Sequence, residues 1–426
     1  MTLTRRDMLR AGAGIVPAAA LTGLVTPAAQ AAQTATTATT AAATMTLTGT
    51  APSQLAALDT VMKTYIQERG IPGAQLAAVK NGKLVMARGY RYTADTTVPA
   101  VQPTSLFRIA SLSKNITAAA ILRLAQDGKL SLGAKVTDVL GLPTSGDSRL
   151  AQVTMWRLMQ HTGGWDRDIS PDWLWADPTV AAALDKPLPV TNKDIINYVS
   201  TRRLDFAPGS RMAYSNYGYM LLGRVIEKVS GQSYESYVKQ KLLAPARITR
   251  MRLGHTLRSQ AAPGEMPYFS DFTTKTVLND SGAVVPWPYG GFNMTNHDAN
   301  GGWLASAVDL VKWAGVFDAA GTVLNATSIS RAFAKPEIGV SPDGSWYGCG
   351  WYVRQVTGHL NTWHNGSMPG TYTYLARLQN GFTYAAVFNH REESGTLDYD
   401  VLSSRMNTAW NSVKTWPTTD LFPKYL

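Results

Sequence analysis

Ser111 and Lys114 form a Ser-x-x-Lys motif just before an apolar, alanine-rich run from Ile116 to Ala125. If this run is a helix, the two side chains lie three residues apart on one helical face. A serine hydroxyl is a weak nucleophile near neutral pH, and a lysine held out of water can be neutral enough to accept its proton. The motif is therefore a candidate nucleophile and base.

A second Ser-x-x-Lys motif, Ser236 to Lys239, lies inside an amphipathic stretch from Tyr234 to Leu243. In such a stretch the serine and the lysine are expected on a solvated helix face. The motif alone does not choose between the two sites, because roughly one or two matches are expected by chance in a chain of this length. The choice depends on the motifs that follow.

Two further motifs follow Ser111 in the chain. Tyr214 and Asn216 make the only Tyr-x-Asn of the sequence, and His364 begins the segment His-Asn-Gly that ends at Gly366. In this order the three motifs resemble those of the penicillin-recognising serine hydrolases. The tyrosine form is similar to the branch that contains class C beta-lactamases, D-alanyl-D-alanine carboxypeptidases, amidases and family VIII esterases.

The resemblance implies a role for each residue of the first two motifs. Ser111 would be acylated, Lys114 and Tyr214 would share the proton transfers, and Asn216 would orient Lys114 and the substrate. Lysine and tyrosine titrate near pH 10 in water, at about 10.4 and about 10, so burial and mutual proximity must change at least one pKa. Which of the two is the general base stays open at this point.

The third motif would supply substrate contacts. The resemblance implies an oxyanion hole made by the backbone N–H groups of Ser111 and of Ser367, which follows Gly366. His364 stands where many beta-lactamases have a lysine, and with an ordinary pKa of about 6.5 it would be a weaker, pH-dependent anchor for a substrate carboxylate. The segment from His161 to Gly163 also fits this motif by composition, but it precedes Tyr214, and the order argues against it.

The strand signals lie at the two ends of the chain. Strand-like residues flank Asn-Gly turns at 81–82 and 380–381, and His364 is expected on or beside the strand that enters the second hairpin. The middle has helix-like apolar spacing. The predicted fold class is α+β, beta-lactamase/DD-peptidase-like, with terminal strands in one antiparallel sheet and an inserted helical region.

The first residues resemble a targeting signal. Arg5 and Arg6 precede a mildly apolar stretch, which predicts a twin-arginine signal peptide over 1–31 and export out of the cytoplasm. Residues 32–50 are rich in Ala and Thr and are expected to form a disordered spacer before a hydrolase domain at 51–426. Neither the leader nor the spacer predicts a stable membrane anchor.

Composition excludes several kinds of partner. The net charge is +11, but no run of Lys or Arg indicates nucleic acid. Cys349 is the only cysteine, so the chain has no intrachain disulfide and no thiolate metal cluster, and a buried small side chain is expected there. The sequence implies no cofactor and no metal.

A loop rich in Trp and Asp follows the His161 segment. Its aspartates lack the spacing of a calcium loop and are expected in turns and caps. Its tryptophans fit either a substrate cleft or packing between helices. The residues concerned are Asp166, Asp168, Asp172, Trp165, Trp173 and Trp175.

The sequence as a whole predicts an exported serine hydrolase that works through a covalent acyl-enzyme, most simply a peptidase or amidase of the D-alanyl-D-alanine carboxypeptidase type. Carboxylesterase is the first alternative and beta-lactamase the second. A non-turnover penicillin-binding or sensor module is the alternative from a different class. The expected partner is a small-molecule or peptide substrate, with cell-wall material as a candidate source.

Overall fold

The computed structural model describes residues 42–393 and 398–426, so the predicted signal peptide at 1–31 lies outside the described residues. The strands are β1 (Thr44–Thr50), β2 (Gly73–Lys80), β3 (Lys83–Thr93), β4 (Phe107–Arg108), β5 (Arg252–Leu253), β6 (Thr273–Lys275), β7 (Val284–Pro286), β8 (Trp303–Ala305), β9 (Ser345–Tyr347), β10 (Tyr352–Val356), β11 (His359–Met368), β12 (Thr371–Leu378) and β13 (Phe382–Phe388). The helices are α1 (Ala56–Glu68), α2 (Ser113–Gln126), α3 (Val136–Leu140), α4 (Met155–Met159), α5 (Asp177–Ala183), α6 (Asn192–Val199), α7 (Asn216–Ser230), α8 (Tyr234–Val238), α9 (Asp298–Gly301), α10 (Ala307–Ala314), α11 (Ala326–Ala332), α12 (Val401–Asn411) and α13 (Phe422–Tyr425).

The main sheet joins the two ends of the chain. Its strand order is β1-β3-β2-β13-β12-β11-β10-β9, and neighbouring strands are antiparallel. At both predicted hairpin turns the Asn and the Gly have positive φ, with 49° and 76° at 81–82 and 63° and 67° at 380–381. Asn and Gly tolerate this left-handed conformation, which two-residue hairpins require. The predicted α+β fold with the terminal strands in one antiparallel sheet is confirmed, and β4, β8 and β5 form a second, small sheet and β6 and β7 a third.

The expected spacer reached too far into the chain. Residues 44–50 form β1, which pairs with β3 from Thr44 opposite Thr93 to Thr50 opposite Ala87. Threonine favours extended backbone, and the partly buried Met45 and Leu47 pack against a core on one face of the sheet. The high content of Ala and Thr conceals the alternation of Met45 and Leu47 with threonines, which is typical of a strand. The remainder of the expected spacer, 32–41, lies outside the described residues.

The sheet separates two apolar cores because successive side chains of a strand point to opposite faces. On β2, Ala77 and Val79 belong to the core shared with the helical region, whereas Leu76 and Ala78 belong to the core beneath α1 and α12. The helices predicted in the middle of the chain are present as α4, α6, α7 and α10. The sheet therefore presents one face to the inserted helices, and the motifs meet at that boundary.

Two smaller expectations concern single features. Cys349 is buried and free, as expected for a small side chain in the core. Within residues 42–393 and 398–426, no helix combines the length and the apolar character needed to cross a bilayer.

Candidate active site

The serine lies where a short 3₁₀ turn passes into a buried helix. Ser111 is the middle residue of the turn Ala110–Leu112, and α2 begins at Ser113. Ala110 has a φ of 47°, a left-handed conformation that is unfavourable for a residue with a side chain, so the backbone is strained next to the serine. Ser111 is half-buried, whereas Lys114 on the first turn of α2 is fully buried.

Lys114 is held between three acceptors. Its Nζ lies 3.0 Å from Ser111 Oγ, 2.7 Å from Asn216 Oδ1 and 2.9 Å from the carbonyl oxygen of Asn300. Burial lowers the pKa of Lys114 well below its ordinary value, and Asp172 raises it by a smaller amount. A neutral amine can donate its two N–H groups to Asn216 and Asn300, which leaves its lone pair directed at the Ser111 hydroxyl.

Tyr214 covers the same lysine. The Lys114 Nζ lies 4.7 Å from the centroid of the Tyr214 ring, which is buried. Burial raises the Tyr214 pKa, and the nearby Ser111 hydroxyl lowers it only in part. Among the described residues the Tyr214 hydroxyl makes no hydrogen bond of good geometry, although it is close enough to Ser111 for this effect. Tyr214 is therefore a protonated phenol, while the environment of Lys114 favours the neutral amine.

Asn216 links the lysine to the loop before it. It is the first residue of α7, whose N-terminus is capped by Ser215 through the N–H of Gly218. Its Oδ1 accepts from Lys114, and its Nδ2 donates to Asp172 Oδ2 at 2.6 Å. The amide thereby fixes the direction of the Lys114 ammonium or amine.

His364 lies on β11, beside β12, which is the strand that enters the second hairpin, and its side chain is buried. Its Nε2 is 2.9 Å from the Tyr347 hydroxyl, and burial together with the Lys114 charge lowers its pKa to about 3. The predicted role as an anchor that charges near its ordinary pKa therefore needs correction, because water is excluded from the ring and the imidazole stays neutral above that value. His364 can still hydrogen-bond, but not as a cation at neutral pH.

Gly366 brings β11 against the turn that carries the serine. A Cβ at this position would lie 2.4 Å from the Ile109 carbonyl oxygen and 3.1 Å from the Ala110 Cβ. Only glycine allows this approach, which places the next residue, Ser367, beside the start of the turn Ala110–Leu112. The Ser367 side chain is held separately, since its Oγ accepts from Arg391 at 3.1 Å.

His161, which chain order excluded from the third motif, lies in the site in another role. Its Nδ1 accepts the Ser215 N–H at 3.1 Å, and its ring lies 4.2 Å from the Tyr214 ring and 4.5 Å from the Tyr347 ring. Burial lowers the His161 pKa, so the ring is neutral. His161 supports the backbone of the tyrosine motif, a role that its sequence position does not reveal.

The Trp- and Asp-rich loop reaches the site through residues that the sequence did not single out for chemistry. Asp172 caps the 3₁₀ turn Trp173–Trp175 as expected, but it also binds Asn216. Asp166 makes a turn contact with the Asp168 N–H and pairs with Arg211 at 2.5 Å. In the ranges that the structure describes, no cluster of His, Cys, Asp and Glu side chains could hold a metal.

The tryptophans of this loop divide between two roles. Trp165 packs edge-on against Tyr217, and Trp173 packs in the same way against Tyr198, as helix packing predicts. Trp175 instead contacts a small apolar cluster that includes Ala110, next to the serine. The cluster consists of Ala110, Phe292, Met294 and Met368, with Trp175 and Trp287 packed against it. It forms an apolar wall beside Ser111.

Fold and site together define a domain in which the side chains of a Ser-x-x-Lys motif and a Tyr-x-Asn motif are in contact. The family model described as Beta-lactamase matches residues 58–403, and the chain belongs to that family. Protein flp of Staphylococcus aureus (strain NCTC 8325 / PS 47) is 31% identical over 202 residues, which are 47% of this chain and 38% of that protein. The chain thus matches well under half of the length of this curated relative.

Solved structures share the fold. The D-amino acid amidase from Ochrobactrum anthropi SV3, in complex with L-phenylalanine, has a TM-score of 0.66 at 20% identity, covering 85% of this chain and 100% of that chain. The octameric penicillin-binding protein homologue from Pyrococcus abyssi has a TM-score of 0.63 at 24% identity, covering 84% of this chain and 77% of that chain. At these identities the similarity shows the fold alone.

Proposed function

We propose that the protein is an exported peptidase or amidase of the D-alanyl-D-alanine carboxypeptidase type, which forms a covalent acyl-enzyme on Ser111. The observation that carries the proposal is the placement of the Lys114 Nζ, buried and in contact with Ser111 Oγ, Asn216 Oδ1 and the Asn300 carbonyl oxygen. A surface lysine has neither the burial nor these fixed partners. This arrangement is suited to remove the proton of one serine, Ser111.

In the proposed acylation Lys114 is the base, because burial lowers its pKa and raises that of Tyr214. Neutral Lys114 takes the Ser111 proton as Oγ attacks the substrate carbonyl, and the backbone N–H groups of Ser111 and Ser367 hold the developing oxyanion. When the carbon–nitrogen bond breaks, Tyr214 donates its phenolic proton to the leaving amine, and the Lys114 ammonium returns a proton to Tyr214. A water molecule then hydrolyses the ester and restores free Ser111.

The substrate class is supported by two findings of different kinds. The structural neighbours include proteins described as D-amino acid amidase and as D-stereospecific amidohydrolase, which favours amide substrates. The neutral His364 supplies no positive charge for a carboxylate, so it gives a beta-lactam no advantage over an uncharged amide. Carboxylesterase remains the second candidate because the cluster next to Ser111 is apolar and offers no charge to a substrate.

A substrate panel tests the proposal. The purified protein is assayed with D-Ala-D-Ala peptides, D-amino-acid amides, short p-nitrophenyl esters and a chromogenic cephalosporin. We expect turnover of peptide or amide to exceed that of cephalosporin, and Ser111→Ala to lower it by roughly 10⁴-fold or more. Ser236→Ala, which changes the exposed second motif, is the matched control and should leave the rate unchanged.

Two outcomes of the panel would contradict the proposal. Ester hydrolysis without amide or peptide hydrolysis would make the protein a carboxylesterase. A stable adduct on Ser111 with every substrate, released over hours, would make it a penicillin-binding or sensor module.

The location of the protein is part of the same proposal and rests on the sequence alone, on Arg5, Arg6 and the mildly apolar stretch that follows them. If a twin-arginine signal directs export, replacing both residues by lysine should retain the precursor in the cytoplasm. Cell fractionation with detection of the mature chain measures this. Unchanged export of the double variant would contradict the proposed route, without bearing on the chemistry at Ser111.

A further inference from the structure

Arg167 is a cation at the site that neither the motifs nor the acylation steps use. It lies in the loop after His161, and its guanidinium carbon is 5.1 Å from the centroid of the Tyr214 ring. Its side chain is half-buried, and its Nη2 nitrogen is enclosed without a hydrogen-bond partner in the described part of the chain. A guanidinium nitrogen enclosed in this way costs free energy unless a partner arrives.

Among the residues that the structure describes, no carboxylate pairs with Arg167, whereas Arg211 on the same side of the loop pairs with Asp166 at 2.5 Å. The positive charge reaches the reacting groups, because after burial it is one of the influences that lower the pKa values of Lys114 and His161. Arg167 is therefore an available cation beside the chemistry.

The other charged or titratable groups at the site are already engaged. Lys114 is bound by three protein acceptors, and His161 and His364 are neutral in their buried positions. Asp172, the carboxylate of the same loop, accepts from Asn216 through Oδ2 and from the Leu174 N–H through Oδ1 at 3.4 Å. Each Asp172 oxygen thus already has a protein donor, whereas the Arg167 Nη2 has no partner among the described residues.

We propose that Arg167 binds the free α-carboxylate of the substrate's C-terminal residue, which is the leaving group. This proposal rests on the proposed function, since it takes Tyr214 as the donor of the proton to the leaving amine. The Arg167 guanidinium packs against the ring of Tyr214, the residue that protonates the leaving amine in the proposed mechanism. Arg is charged at all working pH values and matches a carboxylate with two parallel N–H groups. The substrate class is thus a peptide with a free C-terminus, in preference to a simple amide.

Matched substrates test this assignment. The protein is assayed with an acyl-D-Ala-D-Ala peptide and with the same peptide carrying a C-terminal amide. We expect the wild type to prefer the free acid by about 10- to 100-fold in kcat/KM, the size of a charge-assisted hydrogen bond. Arg167→Gln should remove this preference mainly through KM, and Arg167→Lys should keep part of it. Arg211→Gln is the matched control and should keep the full preference.

A second readout separates this proposal from the proposed function. Turnover of a p-nitrophenyl ester is measured with acyl-D-Ala or acyl-D-Ala-amide as competitor. Stronger inhibition by the acid in the wild type but not in Arg167→Gln supports the anchor, even if no peptide is cleaved and the peptidase assignment fails. Equal inhibition by both competitors in the wild type would overturn it. Arg167→Gln lowering turnover of acid and amide alike would also overturn it, by making Arg167 a support for Tyr214.

Discussion

The two Ser-x-x-Lys segments carry the same residue types in opposite surroundings. Lys114 is fully buried and bonded to Ser111, Asn216 and the Asn300 carbonyl oxygen, all of them uncharged. Lys239 is exposed and pairs with Glu235 at 2.6 Å, a partner that favours its charged form. The comparison shows that the motif supplies only the spacing. Burial among neutral acceptors is what can turn a lysine into a base.

The serines differ in the same way. Ser111 lies at the junction of the sheet and the helical region, against β11 and beside Tyr214. Ser236 lies on the exposed face of α8, where its Oγ accepts from Ser233 at 2.8 Å as part of an N-terminal cap. The exposed Ser236 hydroxyl has no buried neutral amine beside it to remove its proton, since Lys239 is exposed and paired with Glu235.

Replacing the lysines gives the largest expected effect. Lys114→Met removes the proposed base while keeping an unbranched side chain in the buried site, and kcat should fall by roughly 10⁴-fold. Lys239→Met, in the second motif, should leave kcat and KM unchanged. Steady-state kinetics with the best substrate of the panel measures both variants. A similar loss of kcat in both variants would show that burial does not distinguish Lys114 from Lys239 as a base.

A substitution of His161 tests whether the Ser111 segment depends on residues that support Tyr214 from behind, which the Ser236 segment lacks. His161→Phe keeps an aromatic ring against Tyr214 but leaves the Ser215 N–H without its acceptor. We expect kcat to fall about 10-fold with little change in KM, because one buried donor loses its hydrogen bond. His161→Asn, which keeps an acceptor, should restore part of the rate. A change in KM alone would instead place His161 in substrate binding.

The pH–rate profile gives a smaller and more specific effect. The proposed mechanism requires neutral Lys114, so the rate should rise with pH through the Lys114 pKa, which burial holds well below its ordinary value. Asp172 raises this pKa and Arg167 lowers it. Asp172→Asn should therefore move the rising limb to lower pH, and Arg167→Gln should move it to higher pH. Shifts in the same direction would show that another group titrates in this limb.

Sequence patterns predicted the parts of the molecule that local rules control. The hairpins at 81–82 and 380–381 follow from Asn-Gly turns, and the helix after Ser111 follows from a continuous apolar run. The contact between Lys114 and Asn216 follows only from the family resemblance, because the two residues are far apart in the chain. Thr44–Thr50 was missed because composition hid a period of two.

The remaining site residues depend on tertiary structure. His161, Arg167 and Asp172 lie in loops, and their reach toward Tyr214 and Asn216 is set by how those loops fold against α7. The loss of charge at His364 depends on burial by its neighbours, which no local pattern records. Chemistry at such positions is readable only once the loops and the sheet are placed together.

The most direct test of the account is to locate the covalent adduct. The protein is incubated with a fluorophosphonate probe, digested, and mapped by tandem mass spectrometry. We predict a single modified serine, Ser111, with labelling abolished in Ser111→Ala and strongly slowed in Lys114→Met. Labelling of Ser236, or labelling that persists at an unchanged rate in Ser111→Ala, would contradict the assignment of the nucleophile.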